Sequence, residues 1–107
     1  MDPVTLEMLI EHHQPLDLID IRSKNEFAEM HIPGARSLPL AERTEGYIFR
    51  PLPLTNERVY VVSDDRGSAS LAAGILRASS GTDAVVVDGG MTAWIRQGFP
   101  VSIVANF

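Results

Sequence analysis

The sequence contains no cysteine among its 107 residues. That absence excludes disulfide bonds, thiolate zinc sites and thiol catalysis. Basic residues are also few: nine lysines and arginines stand against fourteen aspartates and glutamates, and no two of the nine are adjacent. The resulting net charge of −5 argues against nucleic acids and anionic membranes as partners, because both are bound through clustered cations.

Long hydrophobic runs are missing as well. No apolar stretch approaches the roughly 20 residues of a membrane-spanning helix, and the opening Met-Asp-Pro lacks the basic and apolar parts of a signal peptide. We therefore expect a cytoplasmic protein that does not enter a membrane. The composition, 45% apolar and 21% charged, is typical of a globular domain, and we expect one domain over residues 1–107.

The local patterns predict strands that alternate with helices. Strands are predicted at 16–21, 36–40, 59–63 and 84–88, with a short strand or tail at 100–104. Helices are predicted at 3–12, after Ser23, at 68–80 and at 91–97, and a helical turn is predicted near 40–46. Ser23 and Glu26 have the spacing of a capping box, and Trp94 is expected in the core.

The long helix after the third strand has two predicted apolar rows. One contains Leu71, Ile75 and Ala78, and its neighbour contains Ala72 and Leu76. Gly74 lies inside this helix at a cost of about 1 kcal/mol relative to alanine. We expect close packing on the sheet to be the reason for this glycine, and Gly81 to end the helix.

The stronger strands are continuous apolar runs, which indicates a parallel sheet that is covered on both faces. The predicted fold is an α/β three-layer sandwich in a single domain. In such sheets ligands bind beyond the carboxyl ends of the strands. Three polar segments follow predicted strands, at residues 20–22, 63–67 and 88–90, and we expect them along one edge of the sheet.

Six segments of the chain form a recognisable series of motifs: Leu18-Ile19-Asp20-Ile21-Arg22-Ser23, Glu26-Phe27, His31-Ile32-Pro33-Gly34-Ala35, residues 59–78, Asp88-Gly89-Gly90-Met91-Thr92-Ala93-Trp94 and Gly98-Phe99-Pro100-Val101. Together they cover nearly the whole chain and resemble the rhodanese-like domain family. The resemblance implies a mainly parallel five-stranded sheet with helices on both faces. Active members of the family pass persulfide sulfur from donors such as thiosulfate to acceptors through a loop cysteine, and a related branch uses a similar loop for phosphatase chemistry.

The corresponding loop of this chain departs from the family pattern twice. The loop consists of Asp64, Asp65, Arg66, Gly67, Ser68, Ala69 and Ser70. Aligning Gly67 and Ser70 with the family's Gly-x-Arg-Ser ending places Asp64 at the cysteine and Ala69 at a common arginine. A carboxylate cannot relay sulfur as a polarisable thiolate does, so the resemblance implies a sulfurtransferase fold without its nucleophile.

The charged residues of the loop have alternative interpretations. We favour Asp64 and Asp65 as caps of loop amides and of the following helix; they could instead line a degenerate binding pocket, or Asp64 could act as a phosphate-accepting nucleophile. The loop amides at the helix N-terminus are expected to form a cup that favours anions. Arg66 either replaces the missing loop cation or pairs with a carboxylate, and we favour pairing.

Residues outside the loop are expected to support it. These residues are Asp20, Arg22, His31, Asp88, Gly89 and Gly90. We expect Asp20 and Arg22 to tie a strand end to nearby loops. His31 is interpreted as a turn histidine with one satisfied nitrogen, and the two glycines as the means of a tight turn beside the loop.

The function hypothesis is a catalytically inactive, binding or regulatory module. It would recognise an unknown protein partner or a small anionic ligand at residues 64–70, without a cofactor or a metal. The alternative is an active sulfurtransferase or phosphatase of the same fold with a non-cysteine mechanism, and a structural oligomerisation domain is a third possibility. The Tyr47-Ile48-Phe49 stretch is either a lid or a partner site, and the sequence does not decide between them.

Overall fold

The computed structural model describes residues 1–40, 58–80 and 82–104. Its helices are α1 (Pro3–Glu11), α2 (Lys24–Glu29), α3 (Arg66–Ser80) and α4 (Gly90–Arg96), and its strands are β1 (Asp17–Asp20), β2 (Arg36–Ser37), β3 (Arg58–Val62) and β4 (Asp83–Val86). The Tyr47-Ile48-Phe49 stretch, residues 41–46 and Gly81 lie outside the described residues. None of the described helices has both the length and the apolar character that crossing a membrane requires.

All four strands are parallel and lie in the order β2-β1-β3-β4. The described residues thus form one strand fewer than the five predicted. Next to β4, a single residue takes a strand-like position: Met1 donates from its ammonium group to the carbonyl of Val86 at 3.1 Å and accepts from the amide of Asp88 at 2.7 Å. The chain then enters α1 at Pro3, so these two bonds do not extend into a strand.

Both faces of the sheet are apolar and covered by helices. This explains why the strands at 16–21 and 59–63 were predicted from mainly apolar runs in the sequence. Alternate strand residues point to opposite faces. Ile19 and Val61 belong to a core cluster with α3, whereas Leu18 and Val62 belong to a second cluster with α1 and α4. The second cluster includes the fully buried Trp94, as predicted. The result is the predicted three-layer α/β arrangement.

The face of α3 that contacts the sheet contains one predicted row, Ala72 and Leu76, but not Leu71 and Ala78 of the other row. Its buried positions are Ala69, Ala72, Ala73 and Leu76, which repeat at helical spacing, while Leu71 is 58% exposed. The prediction gave weight to the larger apolar side chains. The small alanines have no bulk to hold the helix away from the strands, so they form the contact face instead.

The reason predicted for Gly74 is wrong. Gly74 is exposed, and a Cβ atom built at this position meets no atom within 4 Å. Because glycine costs about 1 kcal/mol relative to alanine inside a helix, we expect Gly74→Ala to raise the free energy of unfolding by about 1 kcal/mol, as measured by urea denaturation. Ala78→Gly, at another exposed position of α3, should lower it. A destabilised Gly74→Ala variant would contradict this interpretation.

The end of the described chain is tied to the centre of the molecule by a few hydrogen bonds. The predicted strand at 100–104 is reduced to one antiparallel bridge between His31 and Ser102. The indole Nε1 of Trp94 donates to the carbonyl of Pro100 at 2.7 Å. These contacts hold the segment after α4 against the turn that follows α2.

Candidate functional site

The three polar segments expected at one sheet edge do meet there. The strand order changes direction at β1, because β2 lies on one side of it and β3 on the other. The carboxyl ends of strands at such a switch point are the usual position of ligand sites in parallel sheets. Contacts across this edge join Arg22 to Asp64 and the amide of Met91 to the carbonyl of Ser63.

A buried ion pair lies at the end of β1. Asp20 and Arg22 have side chains that are 1% and 7% exposed. The backbone amide and Nε of Arg22 each donate to Oδ1 of Asp20 at 3.0 Å, and Nη2 donates to Oδ2 at 2.9 Å. Nη2 also donates to the carbonyl of Met30 at 2.6 Å. Burial opposes the charge of Arg22, but its bonds to Asp20 outweigh that effect and raise its pKa.

The same guanidinium faces the loop after β3. Nη1 of Arg22 lies 4.0 Å from Oδ2 of Asp64, whose side chain is 44% exposed. Partial burial and a side-chain hydrogen bond with Glu26 raise the pKa of Asp64, while the charge of Arg22 acts in the opposite direction. Asp64 is therefore a carboxyl in contact with both a cation and a second carboxyl, and it does not cap α3.

Glu26 reaches this position through the N-terminus of α2. The amide of Glu26 donates to the hydroxyl of Ser23 at 3.1 Å, and the amide of Ser23 donates back to Oε1 of Glu26 at 3.3 Å. The predicted capping box is therefore confirmed. The hydroxyl of Ser23 also donates to Oε1 of Glu26 at 3.0 Å, and this bond together with the one from the Ser23 amide lowers the pKa of Glu26. Sequence analysis identified Glu26 as a capping residue but missed its contact with Asp64, which no local pattern encodes.

Asp65 caps α3, in agreement with the favoured interpretation. Its Oδ1 accepts the amide of Gly67 at 3.2 Å, and its Oδ2 accepts the amide of Ser68 at 3.1 Å and the hydroxyl of Ser68 at 2.7 Å. These three bonds lower the pKa of Asp65. The cup of amides that was expected to favour anions is therefore filled by a carboxylate of the loop itself.

The remaining loop residues divide between the core and the surface. Ala69, which the resemblance aligned with a common arginine of the family, is 2% exposed and belongs to the core cluster with α3. Arg66 and Ser70 are exposed. Arg66 forms no ion pair with any residue in the described part of the chain, so the favoured pairing with a carboxylate is not found there.

Two glycines bring the loop after β4 against the end of β3. Gly90 has a φ of +54°, and a Cβ atom at this position would overlap the carbonyl oxygen of Ser63. A Cβ atom at Gly89 would overlap the side chain of Ala93. This close approach lets the amide of Met91 donate to the carbonyl of Ser63 at 3.2 Å. The tight turn expected from the Gly-Gly pair is present beside the loop.

Ser63 is a further site residue that the sequence analysis placed in a segment but gave no role. It is buried, its carbonyl accepts the amide of Met91, and its hydroxyl accepts the amide of Asp65 at 3.2 Å. Ser63 thus joins the loops that follow β3 and β4. The signal for it was its position as the last residue of the strong strand predicted at 59–63.

Asp88 and His31 occupy different surroundings. Asp88 is exposed, lies beside the loop, and is 3.6 Å from the ammonium group of Met1.

His31 stacks on Phe27 with ring centroids 3.8 Å apart, and its Nδ1 lies 2.8 Å from the carbonyl of Phe27. Since a carbonyl only accepts, Nδ1 is the protonated nitrogen. The ring is the turn histidine that was expected, and it lines neither of the hollows beside the loop after β3.

Two hollows flank Asp64. The β3–β4 hollow has a volume of about 220 Å³ and lies between the loops after β3 and β4; Ser63, Asp64, Asp65, Arg66, Asp88 and Gly90 contribute to its wall. The β1–β3 hollow has a volume of about 350 Å³ and is more open; Arg22, Ser23, Glu26, Asp64 and Ser68 contribute to its wall. Ser63, Asp64 and Asp65 therefore contribute to the walls of both hollows.

The family-model comparison decides the family. The family model described as the rhodanese-like domain matches residues 2–97. The chain belongs to this family. A comparison with curated proteins finds no match.

Solved structures agree with the family assignment. The Alr3790 protein from Anabaena sp. superposes with a TM-score of 0.83 at 22% identity over 99% of this chain and 94% of that one. A rhodanese-like domain protein from Staphylococcus aureus gives a TM-score of 0.71 at 24% identity over 98% and 97% of the two chains. At these identities the likeness shows the rhodanese-like fold.

A longer relative carries a name that states an activity. The thiosulfate sulfurtransferase from Pseudomonas aeruginosa superposes with a TM-score of 0.77 at 26% identity over 98% of this chain. The match covers only 20% of that chain. The present rhodanese-like domain therefore corresponds to a small part of that protein.

A metal centre finds no support in the described part of this rhodanese-like domain. Within residues 1–40, 58–80 and 82–104, no group of three or more histidine or acidic side chains is placed to hold a metal ion. The carboxylates around the loop are engaged differently. Asp20 binds Arg22, Asp65 binds backbone amides, and Asp64 contacts Glu26.

Proposed function

We propose that this rhodanese-like domain is a binding module that carries out no sulfur transfer. The observation that carries the proposal is Asp64 in the loop after β3, together with the absence of cysteine from the sequence. Sulfur transfer requires a thiolate that attacks a sulfur–sulfur bond and then leaves as the next thiolate attacks. A carboxylate forms no persulfide, so neither half of the transfer can take place at position 64.

The structure of the loop supports a binding role. Asp65 caps α3, Ser63 joins two loops, and the buried pair of Asp20 and Arg22 holds the end of β1. Such contacts order the loop before a ligand arrives, and an ordered site loses less conformational entropy on binding. The preformed β3–β4 hollow is concave and borders this loop. We infer that a protein partner contacts the domain here.

Activity assays separate the binding module from its enzymatic alternative. We expect no turnover above buffer in thiosulfate-to-cyanide sulfur transfer, or in hydrolysis of an aryl phosphate with and without magnesium. A rhodanese that contains cysteine is the positive control for the first reaction. Turnover that survives repurification and disappears in Asp64→Asn would replace the proposal with a carboxylate-based mechanism.

Paired variants test whether the loop is the binding surface. Partners captured by the wild-type domain from its native host should be lost with Asp64→Lys. They should be retained with Asp83→Lys, which makes the same charge change at an exposed carboxylate at the opposite end of β4. Equal capture by both variants would exclude the loop as the contact surface.

A further inference from the structure

We propose that Asp65 determines which ligands the loop binds. Its carboxylate accepts the hydrogen bonds of the amides at the start of α3, and the loop therefore does not bind anions. This inference rests on the proposed binding function and restricts the class of ligand that the site can bind. The group of the partner that enters the β3–β4 hollow then carries no negative charge. The small anionic ligand that the sequence had suggested is thereby disfavoured.

The hydrogen-bond donors of the loop are already engaged within the loop. Free amides at a helix N-terminus attract anions because the donors and the helix dipole both favour negative charge. In this loop the amides of Gly67 and Ser68 already donate to Asp65, as does the hydroxyl of Ser68. The amide of Ala69 donates to the backbone carbonyl of Asp65 at 3.1 Å. An incoming anion would have to displace this internal carboxylate to gain those donors.

The charge around the β3–β4 hollow is negative. Its wall includes three carboxylates, Asp64, Asp65 and Asp88, and one cation, Arg66. The ammonium group of Met1 lies 3.6 Å from Asp88 and offsets one of these charges, while Arg22, which lies 4.0 Å from Asp64, is already paired with Asp20. Like charges at short range repel, and the repulsion is stronger at a partly enclosed surface than in bulk water. An anion in this hollow would therefore meet both filled donors and an excess of negative charge.

Another helix of the domain provides a matched control. Asp2 caps α1 with the same chemistry: its Oδ1 accepts the amide of Thr5 at 2.8 Å and its Oδ2 accepts the hydroxyl of Thr5 at 2.9 Å. Asp2 contributes to the wall of neither hollow. Asp2→Gly and Asp65→Gly therefore remove the same charge from equivalent caps, but only Asp65→Gly frees amides beside the hollow. Glycine is an acceptable N-cap, so both variants should fold.

The test is a titration with inorganic phosphate and with thiosulfate at constant ionic strength. Binding is followed through the backbone amide NMR signals of Gly67 and Ser68 in the isotope-labelled domain. We expect no saturable shifts in the wild type or in Asp2→Gly. Asp65→Gly should show saturable shifts at both amides and bind at least about tenfold more tightly than the wild type.

Two outcomes would overturn the proposal. One is that the wild type binds either anion as tightly as Asp65→Gly does, with shifts at Gly67 and Ser68. The other is that a folded Asp65→Gly variant binds neither anion. If circular dichroism shows that Asp65→Gly is unfolded, Asp65→Ala, whose side chain likewise accepts no hydrogen bond, is titrated under the same criteria in buffer that contains a stabilising osmolyte. Because this readout needs neither turnover nor a partner, its failure is distinguishable from failure of the proposed function.

Discussion

Replacing Arg22 by methionine is expected to lower the free energy of unfolding by about 3–5 kcal/mol at neutral pH. The variant removes the guanidinium that neutralises Asp20, whose side chain is almost fully buried. An unpaired carboxylate would then remain in the interior, and the carbonyl of Met30 would lose its donor as well. Urea denaturation followed by circular dichroism measures the loss.

Two further variants separate burial from ion pairing as such. Arg58 donates from Nε to Asp83 at 2.7 Å, but the two side chains are 55% and 56% exposed, so Arg58→Met should change stability little. The double variant Asp20→Leu/Arg22→Met removes both buried charges and should recover most of the loss. A loss for Arg22→Met no larger than that for Arg58→Met would show that the buried pair is not important for stability.

Replacing Gly90 by alanine is expected to lower the free energy of unfolding by about 2–5 kcal/mol. The positive φ of this residue is unfavourable for alanine, and the added Cβ atom would overlap the carbonyl oxygen of Ser63. The loops after β3 and β4 would have to separate, which would also break the bond from the amide of Met91. Thermal unfolding and urea denaturation measure the effect.

Gly98→Ala provides the control for backbone strain alone. Gly98 also has a positive φ, +74°, but no atom lies within 4 Å of the position that its Cβ would take. Its substitution should cost only about 1–2 kcal/mol, the price of the left-handed conformation. Equal losses in Gly90→Ala and Gly98→Ala would mean that the contact between the two loops contributes nothing.

The elements of the fold could be predicted where a local pattern encodes them. The strands predicted at 16–21 and 59–63 form the two inner strands, Asp17–Asp20 and Arg58–Val62, and the Ser23–Glu26 spacing forms a capping box with both of its bonds. The buried face of α3 was predicted only in part, because Ala72 and Leu76 of one predicted row are buried, whereas Leu71 of the other row is exposed. Which side of an alanine-rich helix meets the sheet depends on how closely the two approach, and that is a property of the packed structure.

The candidate site was predicted in position but not in its internal pairing. The segments at 20–22, 63–67 and 88–90 meet at one sheet edge because parallel strands end on the same side. Two adjacent aspartates in the loop look equivalent in the sequence. In the structure Asp65 turns toward the start of α3, while Asp64 faces Arg22 and Glu26. Only the strand order brings those last two residues near the loop.

The sequence alone determined that this rhodanese-like domain has no thiol, because the composition is known without a structure. It also determined the order of most strands and helices, because hydrophobic periodicity and capping residues act over a few neighbours. The tertiary structure decided that Asp64, and not Asp65, faces Arg22 and Glu26. That outcome depends on contacts between β1 and β3, which are far apart in the chain and become neighbours only when the sheet forms.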